Sequence, residues 1–200
     1  MTVDVFASQL QTHDFRVDCA SRSRLLRQRP AILWFTGLSG AGKSTIANSV
    51  EMRLHASGRL TYVLDGDAVR LGLCKDLSFS DADRHENVRR VAEVARLMAD
   101  AGMIVLVCFI SPFRADREIA RATAAEHRFA EIHVHAPVEV AEARDPKGLY
   151  RLARSGVIQN FTGIDSPYEP PESPDVFIGT SEMSIEDGVD EVLKWFEEPR

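Results

Sequence analysis

Eight consecutive residues, Gly37-Leu38-Ser39-Gly40-Ala41-Gly42-Lys43-Ser44, follow the pattern G-x-x-x-x-G-K-[ST]. Glycines at these positions let the backbone wrap around phosphate groups with successive N–H donors pointing inward. A helix opening at Lys43 adds the positive end of its dipole. In such a loop Lys43 bridges the β- and γ-phosphates of ATP and the Ser44 hydroxyl ligates Mg²⁺. Gly37 to Thr45, including Thr45 itself, is therefore the expected nucleotide site. A chance glycine-rich turn is the plain alternative, but an apolar strand before the motif and a helical pattern after it supply the context the chemistry requires. Further along, Asp65-Gly66-Asp67 is followed by Arg70. Two carboxylates at a strand tip beside a phosphate loop suit metal orientation and acceptance of a proton from an alcohol. Without that loop, the same residues would read as an Asp-Gly turn capped by Asp67.

The elements that must position these groups alternate. Ala31 to Thr36 is a continuous apolar run, as in a strand buried on both faces. Further strands are expected at Leu60 to Leu64, Met103 to Ile110, Glu131 to His135 and Asp175 to Ile178, with helices at about 43–57, 80–101, 114–127, 137–143 and 185–197. The alternation predicts an α/β fold of the P-loop NTPase type: a parallel sheet of about five strands, flanked by helices on both faces. Ligands then bind beyond the carboxyl ends of the strands, after Thr36, Leu64, Ile110 and His135.

The helix beginning at Ser80 carries Val88, Val91, Ala95 and Met98 on one stripe, and Arg84 and Asn87 fall on that stripe nearer its N-terminus. Ser80 and Asp83 make a capping pair with Asp in place of Glu. His85, Glu86, Arg89 and Glu93 are expected to face solvent. Arg84 and Asn87 either extend past the sheet into water or reach a ligand crevice, because an inward charge needs polar partners.

The whole chain of 200 residues fits one core, with 44% hydrophobic residues. Residues 1–29 read as an arm or short helix, and 30–200 as the kinase domain. A net charge of −6 gives no electrostatic footprint for nucleic acid. No apolar run reaches the roughly 20 residues of a membrane span, and the N-terminus lacks a secretory pattern. Cys19, Cys74 and Cys108 form no close pair, which suits a reducing, cytoplasmic setting. His133 and His135 share a strand face, but two histidines do not make a metal site.

Several longer strings resemble the adenylyl-sulfate kinase (APS kinase) family: Leu64 to Arg70, Lys75 to Ser80, Arg84 to Arg90, Phe109 to Arg117, Arg144 to Tyr150 and Asn160 to Tyr168. The resemblance runs from about Pro30 to the C-terminus. It implies transfer of the γ-phosphoryl group of MgATP to the 3′-hydroxyl of adenylyl sulfate, giving 3′-phosphoadenylyl sulfate (PAPS). It also implies roles for the matched residues. Lys43, Asp65 and Asp67 are catalytic, with Ser44 and Asp65 on the metal. Arg144 and Lys147 serve ATP from a mobile lid that Asn160 to Tyr168 completes, and Lys147 also meets the acceptor. Asp67, Arg70, Arg84 and Asn87 hold the acceptor, the last three at its phosphosulfate end. Phe79 and Phe161 clamp its adenine from open settings, and Ile110 and Ser111 line its pocket. The serine matching Ser111 carries a phosphate in some family members, but Ser111 is not assigned as a nucleophile. Ala68 and Cys74 stand where the family usually has Asn, flanking the acceptor pocket. A homodimer and a functional link to ATP sulfurylase follow from the same resemblance.

Each assignment has a duller counterpart: Phe79 and Phe161 as core aromatics, Ser111-Pro112 as a strand end and helix start, Arg144 and Lys147 as a solvated helix end. A kinase for another small alcohol, such as a nucleoside, and a nucleotide-binding module without turnover are the competing functions. Paired aromatics with inward Arg84 and Asn87 favour an adenine-bearing anion over the first. The complete Lys43, Ser44, Asp65 and Asp67 set argues against the second.

Overall fold

A computed structural model describes His13 and residues 15–198. Part of the arm expected over 1–29 lies outside these residues. Its remainder contains helix α1 (Cys19–Leu26), capped by the Asp18 carboxylate, which accepts from Ser21 N. Gln28, buried at the arm's end, donates to the carbonyls of Leu60 and Gly102 and accepts from Leu60 N. It thereby ties the arm to the amino-terminal end of the sheet.

Five parallel strands follow, β1 (Ala31–Thr36), β2 (Thr61–Asp65), β3 (Ile104–Cys108), β4 (Arg128–His135) and β5 (Val176–Gly179), in the order β2-β3-β1-β4-β5. Strand alternation divides β1 between two cores. Leu33 and Phe35 join the apolar faces of α2 (Lys43–Ala56) and α8 (Ile185–Glu197). Ile32 and Trp34 join those of α4 (Asp81–Asp100) and α5 (Arg114–Ala124). All six β1 residues are buried, so this strand, with the phosphate loop at its tip, is the most rigid platform the fold offers.

Two short helices escape the sequence pattern: α3 (Gly66–Leu71) and α7 (Leu149–Arg154). At six residues each, they show too little periodicity to be read. Helix α3 changes the reading of the strand-tip carboxylates. Asp65, not Asp67, is the cap, and its Oδ2 accepts from Asp67 N at 3.0 Å and Ala68 N at 3.4 Å. At α4 the Asp83 carboxylate reaches back to Ser78 N, two residues before the expected partner, and accepts from Ser80 Oγ. Val88, Val91 and Ala95 are buried as expected, with Met98 at the margin. His85 is outward, yet its Nδ1 meets the buried carboxylate of Asp116 on α5. Helix α6 (Val138–Arg144) completes the layer beside the phosphate loop.

Candidate active site

The loop between β1 and α2 holds Gly37, Gly40 and Gly42 at φ values of 147°, 74° and 105°. A Cβ on Gly37 would sit 2.1 Å from the Val134 carbonyl oxygen, and one on Gly40 2.7 Å from that of Ala141. Only glycine fits either position, because the loop is pressed against β4 and α6. Lys43 Nζ folds back onto the carbonyls of Gly37 and Leu38, at 2.9 and 2.8 Å. Burial pushes its ammonium down to about 8. A phosphate placed beside it pulls in the opposite direction.

Three contacts that sequence reading missed brace the same loop from outside. Tyr150 Oη donates to Ser39 O at 2.9 Å and Thr180 Oγ1 to Ala41 O at 2.8 Å. Arg144 donates to Thr180 Oγ1 and O at 2.9 and 2.8 Å, with a longer reach to Gly40 O. Thr180 follows β5, so the rule about carboxyl ends of strands, applied to the fifth strand, points to it. Tyr150 closes the Arg144 to Tyr150 string.

One cavity of about 780 Å³ runs from this loop across the tips of β2 and β3 to the segment around Phe161. That is the scale of a site for substantial small-molecule ligands. The structure gathers most of the expected residues along it: Ser39, Gly40, Gly42, Lys43, Ser44, Thr45, Asp65, Asp67, Arg70, Phe79, Arg84, Asn87, Ile110, Ser111, Arg144, Lys147 and Phe161. Gly37, Leu38 and Ala41 shape the loop from behind and do not line the cavity. Ser44 and Thr45 are exposed at its phosphate end, near Asp65. Hard oxygen donors of this kind, a hydroxyl and a carboxylate, fit Mg²⁺. Lys147 forms an ion pair with Asp67 across the mouth.

The far wall differs from expectation in three respects. Phe79 is the open ring, 60% exposed, with the Arg70 guanidinium 4.2 Å over its centroid. Phe161, expected in a mobile open segment, is 8% exposed and set edge-on to Tyr150 at 4.9 Å. Asp165 fixes it there by accepting from the N–H groups of Asn160 and Phe161, at 2.7 and 2.6 Å. Those bonds hold the Asp165 carboxyl below its usual range.

Arg84 is buried as the inward stripe requires, but its guanidinium already serves the protein. Nε donates to Phe79 O, Nη1 to Thr162 Oγ1 and Nη2 to Asn160 O. Asn87 is the freer group: it is 3% exposed, and its buried Oδ1 has no partner. Finally, Cys74 is buried within the core beside α4 and Ala68 lies exposed on α3, so neither lines the cavity itself.

Ser111 is buried at φ 39°, with its hydroxyl accepting from Trp34 Nε1 at 3.1 Å. That hydroxyl is placed as part of the wall. His133 and His135 face Tyr168 and Phe177 in an aromatic cluster, and no group of three or more metal-ligating side chains occurs among the described residues.

A family model for adenylylsulphate kinase matches residues 29–179. The adenylyl-sulfate kinase of Aeromonas hydrophila is 56% identical over 186 residues, 93% of this chain and 94% of its own. The bifunctional enzyme CysN/CysC of Xylella fastidiosa is 56% identical over 94% of this chain but only 30% of its own. Among solved structures, the Mycobacterium tuberculosis APS kinase CysC in complex with AMPPNP and APS superposes with a TM-score of 0.82 at 48% identity, covering 85% of this chain and 99% of that one. A hexameric APS kinase from Thiobacillus denitrificans gives 0.64 at 31% identity, over 98% of this chain and 36% of its own. A buried β1 strand feeding a complete phosphate loop, one cavity joining that loop to Phe79 and Phe161, and a match across three quarters of the sequence lead to one conclusion: this chain belongs to the adenylyl-sulfate kinase family.

Proposed function

We propose that the single continuous cavity holds MgATP and adenylyl sulfate end to end, and that its residues divide between them. The protein is an ATP-dependent kinase that phosphorylates adenylyl sulfate to give PAPS. In our reading the triphosphate lies along Gly37 to Thr45, with Lys43 leaving the Gly37 and Leu38 carbonyls to meet the transferring phosphoryl group. A cation there offsets charge that develops during transfer, at a site the fold has already shaped. Ser44 and Asp65 would hold Mg²⁺, which supplies further charge neutralisation on the phosphates. Arg144 and Lys147 serve the donor from the side of α6. Release of Lys147 frees Asp67 to orient the ribose hydroxyl and accept its proton.

The acceptor lies against the far wall. Phe79 offers a ring face to its adenine and Phe161 a ring edge or face from the opposite side. Arg70, the Asn87 amide NH₂ and the two remaining Nη–H donors of Arg84 face its anionic end, with Ile110 and Ser111 beneath. The observation that carries this division is the exposed Phe79 ring, with Arg70 over it and the buried Asn87 amide beside it, at one end of a cavity whose other end is the phosphate loop. Measuring ATP consumption and nucleotide products with and without adenylyl sulfate tests it. Turnover that ignores adenylyl sulfate, or a product not phosphorylated at the 3′ position, would refute it.

No helix among the described residues is long and apolar enough to cross a membrane. We infer a cytoplasmic protein, a homodimer, and a functional link to ATP sulfurylase. Family resemblance supports all three. Relatives in which the matching segment is part of a bifunctional enzyme support the link. Light scattering on the purified chain decides the oligomeric state.

A further inference from the structure

Arg117 takes no part in the assignments above, yet it is one of the most completely used side chains in the molecule. It is 2% exposed. Its Nε donates to Glu131 Oε1 on β4 at 2.5 Å, its Nη1 to Ser111 O at 2.7 Å and its Nη2 to Glu169 O at 2.7 Å. The Tyr168 ring lies 5.8 Å from its Cζ. Two of these acceptors belong to the cavity wall and its support. Ser111 lines the cavity in a left-handed conformation, and Glu169 ends the segment that begins beyond α7 and carries Phe161.

Neighbouring bonds close the same circuit. Glu169 N donates to Pro112 O at 2.9 Å, Tyr168 Oη pairs with Thr36 Oγ1 at 3.0 Å, and Thr36 Oγ1 donates to Ile110 O at 2.7 Å. Arg84 grips the same segment nearer its start, through Asn160 and Thr162.

Burying a guanidinium is a poor route to stability, since apolar residues of similar volume often serve as well or better. Its distinctive property is a rigid fork of directional donors, which fixes the relative positions of three acceptors on three different elements. We propose that Arg117 is a positioning residue for the acceptor half of the cavity. It sets the spacing between the mouth of β3 and the Phe161 segment, and so the gap in which the acceptor is held. This rests on the reading of that wall as the acceptor site. The phosphate loop has further braces in Tyr150, Thr180 and Arg144, none of which is hydrogen-bonded to Arg117, so the loss is expected to fall mainly on the acceptor.

The test compares Arg117→Lys, Phe79→Ala and Gln28→Ala with the wild type. KM values for adenylyl sulfate and ATP are measured separately, and melting temperature is measured on the same samples. A lysine keeps the charge but cannot span three acceptors. With about one hydrogen bond lost, Arg117→Lys should raise the KM for adenylyl sulfate by roughly fivefold or more and leave that for ATP within about twofold. Gln28→Ala weakens the fold at the opposite end of the sheet and should move neither KM.

Equal changes in both KM values for Arg117→Lys, or no change, overturn the proposal. So does a selective acceptor effect in Gln28→Ala, because any loss of stability would then suffice to produce it. If Phe79→Ala leaves the acceptor KM unchanged, the wall is not the acceptor site and the proposal falls with that reading. If Phe79→Ala raises it and Arg117→Lys does not, the positioning role alone fails. Should Arg117→Lys not fold, Tyr168→Phe removes the bond to Thr36 in the same circuit. It should raise the acceptor KM selectively by about threefold, and an unchanged value overturns the proposal.

Discussion

The two ends of the cavity are built on opposite plans. The phosphate end is nine consecutive residues, Gly37 to Thr45, whose backbone supplies the binding groups and whose side chains matter mainly at Lys43 and Ser44. The acceptor end draws Phe79, Asn87, Ile110, Ser111 and Phe161 from separate parts of the chain, and long-range side-chain bonds from Arg84 and Arg117 hold it in shape. A site made of local backbone tolerates little at its glycines, but its support comes from several independent bonds, those of Tyr150, Thr180 and Arg144. A site made by tertiary bonds can be loosened from residues that touch no ligand. The contrast teaches where substitutions should separate donor from acceptor effects.

The largest effect is expected at the phosphate end. Lys43→Ala should lower kcat by about 10²–10³-fold or more while the protein stays folded, because the lost cation stabilises charge in the transition state. Near wild-type turnover in a folded variant would break the comparison at its first term.

Phe161→Ala comes next, and its effect is double. The ring is buried in the main core, so removing it should destabilise the protein by about 3 kcal/mol as well as raise the acceptor KM. Urea titration and steady-state kinetics on one preparation separate the two. An unchanged unfolding midpoint would mean that the ring is less committed to the core than its burial indicates.

Asn87→Ala should cost about 1.5–3 kcal/mol of acceptor binding, the range for a hydrogen bond to a charged group, with ATP binding unaffected. Calorimetric titration with ATP and adenylyl sulfate in turn checks this, and equal losses would place Asn87 in the fold or the donor site instead. Phe79→Ala sharpens the contrast with Phe161. Its ring is exposed, so the melting temperature should stay near that of the wild type, and the acceptor KM should rise through loss of about 1–2 kcal/mol of stacking.

The prediction with the smallest expected effect on catalysis concerns pH. Burial, with His135 and Arg117 nearby, pushes the His133 imidazole down to about 4 from its ordinary value of 6.5. Because the folded protein binds its proton less readily than the unfolded chain, His133 contributes stability that is present above pH 6.5 and lost as pH falls through about 4. His133 lies under Tyr168, at the anchored end of the acceptor wall. His133→Phe should therefore flatten the acid side of the stability profile measured by denaturant midpoint between pH 7.5 and pH 4. An unaltered profile would assign the acid sensitivity to other groups.

Much of this was open to reading from residue order. The apolar run at Ala31 to Thr36, the glycine-lysine pattern after it and the alternation of strands and helices come from local chemistry and periodicity. They led to the parallel sheet and the nucleotide loop with boundaries a few residues off at most. Arg84 and Asn87 were placed inward by helical spacing alone, and both are buried. The missed helices α3 and α7 lack the length that periodicity needs, and the roles of Asp65 and Asp67 at α3 could be sorted only with the cap in view.

What the tertiary structure alone decided is the character of the acceptor wall. Nothing in the strings around Phe79 and Phe161 says which ring is open, because burial depends on what α7 and the 155–170 segment bring against them. Nor does an arginine in sequence disclose its partners. Arg84 is spent largely on Phe79, Asn160 and Thr162, and Arg117 joins Ser111 to Glu169, 58 positions apart in the chain. The physical reason is range. Backbone conformation and periodicity act over a few neighbouring residues and leave a mark in local residue order. A buried guanidinium acts on whichever carbonyls the folded chain carries to it.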